Sequence, residues 1–163
     1  MDELFAPPAY DWQRLSPKYL TLRRLTTLLF PTLISSIPAV LIGVLSSAWW
    51  IAGVCWAIAL VFIVVRLVLV PRNWRAWGYV ERADDLYITH GVLRRSLVAV
   101  PYGRMQLVEV ASGPLQRAFQ LATVTMKTAS PRTDASIPGL APAEAARLRD
   151  RLTELGEAQA SGL

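Results

Sequence analysis

Two long runs of apolar residues dominate the first half of the chain. The run 25–45 contains no charged residue, and after Ser46-Ser47 the run 48–65 contains none either. A charge-free stretch of about 18 or more residues is long enough to cross the hydrocarbon core of a bilayer as a helix. Two such stretches joined by a short polar turn predict a transmembrane helical hairpin, which we place at residues 19–70.

Beyond the hairpin the pattern changes to short segments in which apolar and polar residues alternate, which is typical of β-strands. Residues 72–82 predict a strand that leaves the membrane, and Asp84-Asp85 predicts a turn. The remaining expected elements are, in order, strands at 86–90 and 92–100 around His90-Gly91, a strand at 105–110, a helical turn within 113–119, a strand at 121–128 and a short strand at 135–137 ended by Pro138-Gly139.

The last part of the chain has the period of a helix. Its apolar residues recur at spacings of three and four, at Ala145, Leu148, Leu152 and Leu155. Charged residues fill the other positions, so the segment predicts an amphipathic helix that Gly156 ends. Several strands followed by one helix predict a curved sheet or barrel capped by that helix.

These elements divide the chain into four parts. We expect an N-terminal cytoplasmic segment at 1–18, the transmembrane hairpin at 19–70, a β-rich domain at 71–156 and a flexible tail at 157–163. About 90 residues outside the membrane are enough for one small hydrophobic core.

The net charge of +5 is concentrated beside the predicted membrane segments. The basic residues that flank the two apolar runs are Arg14, Lys18, Arg23, Arg24, Arg66, Arg72 and Arg75. The turn at Ser46-Ser47 has none, so the positive-inside rule predicts a multi-pass protein of the cell membrane with both termini in the cytoplasm. The residues before the first run are too many and too acidic for a cleaved signal peptide, so we expect this run to stay as an anchor. Without basic residues interleaved with stacking aromatics in the polar part, nucleic acid is not an expected partner.

The apolar runs carry little candidate chemistry. No Asp, Glu, Lys or His lies inside them, which disfavours a transport pathway. The lone Cys55 forms neither an intrachain disulfide nor, by itself, a zinc site. Pro31 and Pro38 should kink the first helix, and we expect the hydroxyls of Thr32, Ser35 and Ser36 to cover the freed carbonyl groups.

Four segments of the polar part resemble sequence motifs of a known family, and they occur along the chain in the same order as in that family. They are Val100–Gln106 (VPYGRMQ), Asp85–Ile88 with Gly91, Gly113–Ala122 (GPLQRAFQLA), and Thr128–Ser130 followed by Ile137–Leu140. Together they resemble the signature of the YdbS-like bacterial PH-domain family, also described as membrane-flanked domain proteins. The resemblance covers roughly 70–155, with Gln120 standing where glycine is more usual in the family.

The resemblance implies a pleckstrin-homology-like (PH-like) fold, a bent β-barrel of about seven strands closed by a C-terminal α-helix. This agrees with the elements predicted from the pattern. It implies no catalytic residue, because a fold by itself does not fix a function.

Candidate chemistry in the polar part is sparse. His90 precedes a glycine at a predicted turn and has no nucleophile motif nearby, and Asp84-Asp85 lacks the ligand spacing of a calcium loop. We therefore expect no enzyme activity, no cofactor and no metal.

The candidates for partner or lipid contact are Arg72, Arg75, Arg94, Arg95, Tyr102 and Arg104. Arg104 has a structural alternative, pairing with Glu109 or capping carbonyl groups. The sequence favours a membrane-anchored, non-enzymatic interaction module that presents the PH-like domain to a protein or peptide partner, such as another PH-like family member. The alternative is binding of anionic lipid headgroups by the domain and the juxtamembrane arginines.

Overall fold

The computed structural model describes residues 11–46, 49–129 and 134–161. These residues form two compact units, one comprising residues 20–72 and the other comprising the segment up to Tyr19 together with the chain from Asn73 onward.

Two long helices form the apolar part of the chain, α1 at Pro17–Ser46 and α2 at Trp49–Arg75. Each has the length and the composition that a membrane span requires. Most of their large apolar side chains are exposed, as lipid-facing side chains are.

Helix α1 continues through both of its prolines. The Thr32 hydroxyl donates to the carbonyl oxygens of Leu28 (2.7 Å) and Leu29 (2.8 Å), and the Ser35 and Ser36 hydroxyls donate to that of Thr32. The carbonyl groups that lose their usual helical donor to Pro31 and Pro38 belong to residues 27 and 34. The three hydroxyl groups therefore do form hydrogen bonds to backbone carbonyl groups of the helix, as predicted. The carbonyl groups that they reach are not the ones freed by the two prolines.

The second unit contains two antiparallel three-stranded sheets, with strand orders β1-β2-β3 and β4-β5-β6. The strands are β1 Gly78–Glu81, β2 Asp85–His90, β3 Ser96–Pro101, β4 Met105–Ala111, β5 Ala122–Thr128 and β6 Ala135–Leu140. A 3-10 turn at Tyr102–Arg104 joins the two sheets, α3 spans Pro114–Ala118, and α4 spans Pro142–Ser161.

The core of this unit is closed by α4. Its Ala145, Leu148 and Leu152 are fully buried, together with Leu86 on the first sheet and Met126 on the second. This arrangement confirms the predicted PH-like fold, with a correction. Within the described ranges there are six strands in two sheets, and the sheets do not close into a barrel.

Four predicted boundaries were wrong. The strand expected at 92–100 begins only at Ser96. Helix α2 runs to Arg75, so the expected strand at 72–82 is reduced to Gly78–Glu81. Strand β6 continues through Pro138-Gly139, because Gly139 adopts a φ of 72° that lets the strand end on the buried Leu140. Helix α4 passes Gly156 and extends to Ser161.

The segment before α1 packs against the β-rich domain. Gln13 exchanges two backbone hydrogen bonds with Tyr79 of β1 (2.9 and 3.0 Å), and the Ser16 amide donates to the Gly139 carbonyl of β6 (3.0 Å). Leu15 is buried between these contacts. The Tyr19 ring lies so close to Gly139 that a Cβ at this position would clash with it. This segment therefore contacts one strand from each sheet.

Candidate functional site

A cleft lies between strand β4 and helix α4. Its volume is about 240 Å³, and its lining residues are Met105, Gln106, Leu107 and Val108 from β4, and Leu152, Thr153, Gly156 and Glu157 from α4. Strand β4 pairs only with β5, so its other edge has no strand partner among the described residues. The Leu107 side chain at this edge is half-exposed. The cleft thus combines unpaired backbone groups with an accessible apolar side chain.

A charged network fixes the start of α4 to the first sheet. The Arg147 guanidinium donates to Glu144 on its own helix and to Glu81 of β1, each at 2.6 Å. The Tyr79 hydroxyl donates to Glu144 at 2.8 Å. The hydrogen bond from Arg147 lowers the pKa of Glu144, whereas burial and the Glu144 carboxylate raise that of Tyr79. The N-terminal part of the helix that forms one wall of the cleft is therefore attached to the first sheet.

The last turns of α4 are held by a second contact. The Gly103 amide donates to Oε1 of Gln159 (2.9 Å), while Nε2 of the same side chain donates to Asp84 (3.3 Å). This contact exists only because α4 continues past Gly156. The helix is thereby attached to strand β1 near its start and to the turns at Asp84 and Gly103 near its end.

The structure corrects the expectation for Tyr102. This side chain is completely buried and donates its hydroxyl to the Arg82 carbonyl (3.0 Å). Burial raises the pKa of Tyr102 to about 12. Since no partner can reach it, Tyr102 serves to pack the junction between the sheets.

Arg94 and Arg95 are exposed in the loop between β2 and β3. Leu93 beside them is 91% exposed, the most exposed large apolar side chain in the described part of the chain. Since β1 begins at Gly78 and pairs antiparallel with β2, this loop lies at the end of the sheet where the chain arrives from α2. The Trp77 and His90 rings, 4.9 Å apart, mark this same end.

Of the other predicted arginines, Arg104 does not form one patch with this loop. Arg72 and Arg75 are exposed on the last turn of α2. Arg104 is exposed after β3, whereas Arg94 and Arg95 precede that strand. A six-residue strand separates them by roughly 20 Å. Glu109, the predicted partner of Arg104, pairs instead with Lys127 at 3.9 Å.

His90 lies at the end of β2. Burial lowers its pKa, and its Nδ1 atom is buried without a hydrogen-bond partner. The other turn candidate, Asp85, pairs with Arg82 at 3.5 Å. In the ranges that the structure covers, no three His, Cys, Asp or Glu side chains are grouped so as to hold a metal ion.

Sequence reasoning missed two parts of this surface. The cleft is formed by residues about 45 positions apart, so no local motif marks it. Leu93 fell within the strand predicted at 92–100, whereas the strand begins only at Ser96. The glycine before it was the available signal: Gly91 adopts a φ of 96°, and the chain leaves the strand there.

Comparison with known proteins assigns the family. The model of the bacterial PH domain matches residues 27–156. The UPF0699 transmembrane protein YdbS of Bacillus subtilis (strain 168) is 36% identical over 108 residues, which cover 66% of this chain and 67% of that protein. No solved structure matches the chain. The family match, the transmembrane relative and the two apolar helices together show that this chain is a transmembrane protein of the YdbS-like bacterial PH-domain family.

Proposed function

We propose that the protein is a non-enzymatic, membrane-anchored module whose PH-like domain binds an extended peptide segment of a membrane-protein partner, such as another PH-like family member. The observation that carries this proposal is the unpaired edge of β4 beside the cleft with α4. The non-enzymatic role is supported by the family, which is not a known enzyme class.

The chemistry of the cleft suits an extended segment. An unpaired strand edge offers N–H and C=O groups to an added strand, and a neighbouring pocket selects its side chains. A register shift between Met105 and Leu107 interrupts the pairing of β4 with β5. The half-exposed Leu107 provides an apolar contact in the middle of the edge. Tethering at the membrane raises the local concentration of the domain, so a modest affinity is sufficient.

We further propose that both chain ends are cytoplasmic and that the protein crosses the cell membrane twice. The segment before α1 packs on the same unit as the chain after α2, which favours one side for both. The basic residues beside that unit favour the cytoplasm.

Site-specific photo-crosslinking in native membranes tests the peptide-binding proposal. A photoreactive amino acid at Leu107 should capture a discrete partner, whereas the same amino acid at Leu115 of α3 should not. Leu115 is a matched control because the two leucines are 50% and 47% exposed. Gly156→Leu should fill the cleft and abolish capture from position 107. Equal capture from both positions, or capture unaffected by Gly156→Leu, contradicts the proposal.

The second candidate function is binding of anionic lipid by the domain itself, and Leu93 favours it. An exposed leucine followed by two arginines can insert into the interface while the guanidinium groups bind phosphate. Arg72 and Arg75, on the helix that leads into this end of the sheet, would add to the attraction.

Hydrogen exchange on the full chain in nanodiscs tests this candidate. Residues 91–95 should be protected in phosphatidylglycerol at low salt, and the protection should fall at high salt or with phosphatidylcholine. The Arg94→Glu, Arg95→Glu double variant should lose it. If exchange in this loop is the same in both lipids, the domain does not bind the membrane through it.

A further inference from the structure

A long groove runs along the hairpin between its two helices. Its volume is about 830 Å³, and each helix lines it with residues at spacings of three and four. The lining residues are Arg23, Thr26, Thr27, Phe30, Pro31, Ile34, Ser35 and Pro38 of α1, with Cys55, Ile58, Ala59, Phe62 and Arg66 of α2. The volume falls in the range of about 300–1,000 Å³ that is usual for ligand sites.

The charge of the groove is confined to one end. Among the described residues, Arg23 and Arg66 are the charged ones that line it, and the rest of the lining is mostly apolar. The Arg66 guanidinium lies 5.8 Å above the ring of Phe62, another lining residue. No carboxylate of the described chain pairs with Arg66. An occupant must therefore be apolar along most of its length and anionic at one end.

The depth of the two arginines matches the boundary of the membrane core. At a helical rise of about 1.5 Å per residue, Arg66 lies roughly 26 Å and Arg23 roughly 34 Å from the hairpin turn. These distances bracket the hydrocarbon thickness of about 30 Å. Both guanidinium groups can thus reach the layer of lipid phosphates.

The groove is also shorter than the membrane. It extends roughly 22 Å along α1, from Arg23 to Pro38, and roughly 16 Å along α2, from Cys55 to Arg66. Near the turn the helices are in contact, because a Cβ at Gly43 would lie 2.7 Å from the Trp49 ring. A spanning helix of a partner would follow the hairpin across the whole core, about 30 Å. A lipid chain occupies one leaflet, which is closer to the extent of this groove.

We propose that the groove is a binding site for one anionic phospholipid of the cytoplasmic leaflet. Its phosphate contacts Arg23 and Arg66, and one acyl chain lies against Ile34, Ile58 and Phe62. This site is separate from the peptide cleft and from the loop at Leu93. It rests on the proposed orientation only for the choice of leaflet.

Native mass spectrometry of the purified full chain tests the site. After delipidation, equal amounts of phosphatidylglycerol and phosphatidylcholine are added back, and retained lipid is counted. The chain should retain one phosphatidylglycerol in preference to phosphatidylcholine. The double variant Arg23→Gln, Arg66→Gln should weaken this retention roughly thirtyfold. Each basic residue near the surface contributes about 1 kcal/mol to the binding of anionic lipid, and two such losses together correspond to this factor. The matched pair Arg24→Gln with Arg75→Gln removes two exposed charges outside the groove and should leave the preference intact.

A second pair of variants tests the apolar part. Ile58→Trp should fill the groove and displace the lipid, while Leu60→Trp should not, because Leu60 is similarly exposed but lies outside the groove. Circular dichroism verifies that each variant is helical. The proposal would be overturned by equal retention of the two lipids, by equal loss in both arginine pairs, or by retention unchanged by Ile58→Trp. Crosslinking of a second protein helix into the groove would also overturn it. None of these results bears on peptide capture at Leu107.

Discussion

At the scale of single residues, Gln120 stands where the backbone favours glycine. Its φ of 54° lies in the left-handed region, which costs a residue with a Cβ about 1–2 kcal/mol. Its side chain accepts a hydrogen bond from Lys18 at 2.7 Å, which ties the first turn of α1 to the turn after α3. The departure from the family's usual glycine therefore exchanges an unstrained backbone for an added contact.

Replacing Gln120 separates these two effects. Gln120→Gly and Gln120→Ala both lose the Lys18 contact, but only glycine relieves the backbone. We expect Gln120→Gly to be more stable than Gln120→Ala by about 1 kcal/mol, measured by thermal unfolding of the chain in nanodiscs. Equal stability of the two variants would show that the turn adjusts without strain.

The second residue-scale prediction concerns His90 and pH. Burial lowers its pKa below the ordinary value of 6.5, so the unfolded chain takes up a proton first as the pH falls. Stability should therefore be highest above pH 6.5 and should fall as the pH drops through the pKa of the folded protein. The lowered pKa of Glu144 acts in the same direction but below its ordinary value of 4.5.

Thermal unfolding between about pH 7.5 and pH 5 isolates the histidine. His90→Phe keeps an aromatic ring beside Trp77 and removes the titrating group. We expect the stability of the variant to fall much less than that of the wild type over this interval. If wild type and variant decline with the same slope, another group is responsible.

At the scale of elements, the continuation of α4 past Gly156 has a measurable consequence. Glycine inside a helix is about 1 kcal/mol less favourable than alanine. The nearest atom to a Cβ at this position is the Tyr102 carbonyl oxygen at 3.6 Å, an ordinary contact. Gly156→Ala should therefore stabilise the protein by about 0.5–1 kcal/mol. Destabilisation would indicate that the helix ends at Gly156 in solution, as the sequence pattern suggested.

The elements that sequence predicted well are those with a clear period. The apolar runs predicted α1 and α2, and the spacing of Ala145, Leu148 and Leu152 predicted the buried face of α4. The elements that sequence misplaced depend on contacts between distant residues. Gly156 remains helical while Gln159, three residues later, bonds to Gly103, and Gly139 remains in a strand that Ser16 and Tyr19 contact.

The site was less predictable than the fold for the same reason. Arginines were identifiable as candidates by type, but their grouping depends on the two sheets, which place Arg104 away from Arg94 and Arg95. Tyr102 belongs to the VPYGRMQ segment, yet its part in that segment is to pack the core. The groove of the hairpin is formed by residues of both α1 and α2, so the sequence of either helix alone does not show it.

At the scale of the whole molecule, the proposals for the domain depend on its side of the membrane. A peptide partner at Leu107 must be cytoplasmic, and Arg94 and Arg95 must face the anionic lipid of that leaflet. Two crossings are supported by the charge-free runs and by the packing of residues 11–19 with the chain after α2.

Cysteine labelling in cells is the most direct test of that topology. In a Cys55→Ala background, new cysteines are introduced separately as Ser161→Cys, at the end of α4, and Ser47→Cys, between the two apolar helices in the sequence. With a membrane-impermeant thiol reagent, the cysteine at 47 should react on intact cells, and the cysteine at 161 only after the cells are opened. Labelling at 161 on intact cells would place the PH-like domain outside and contradict the account.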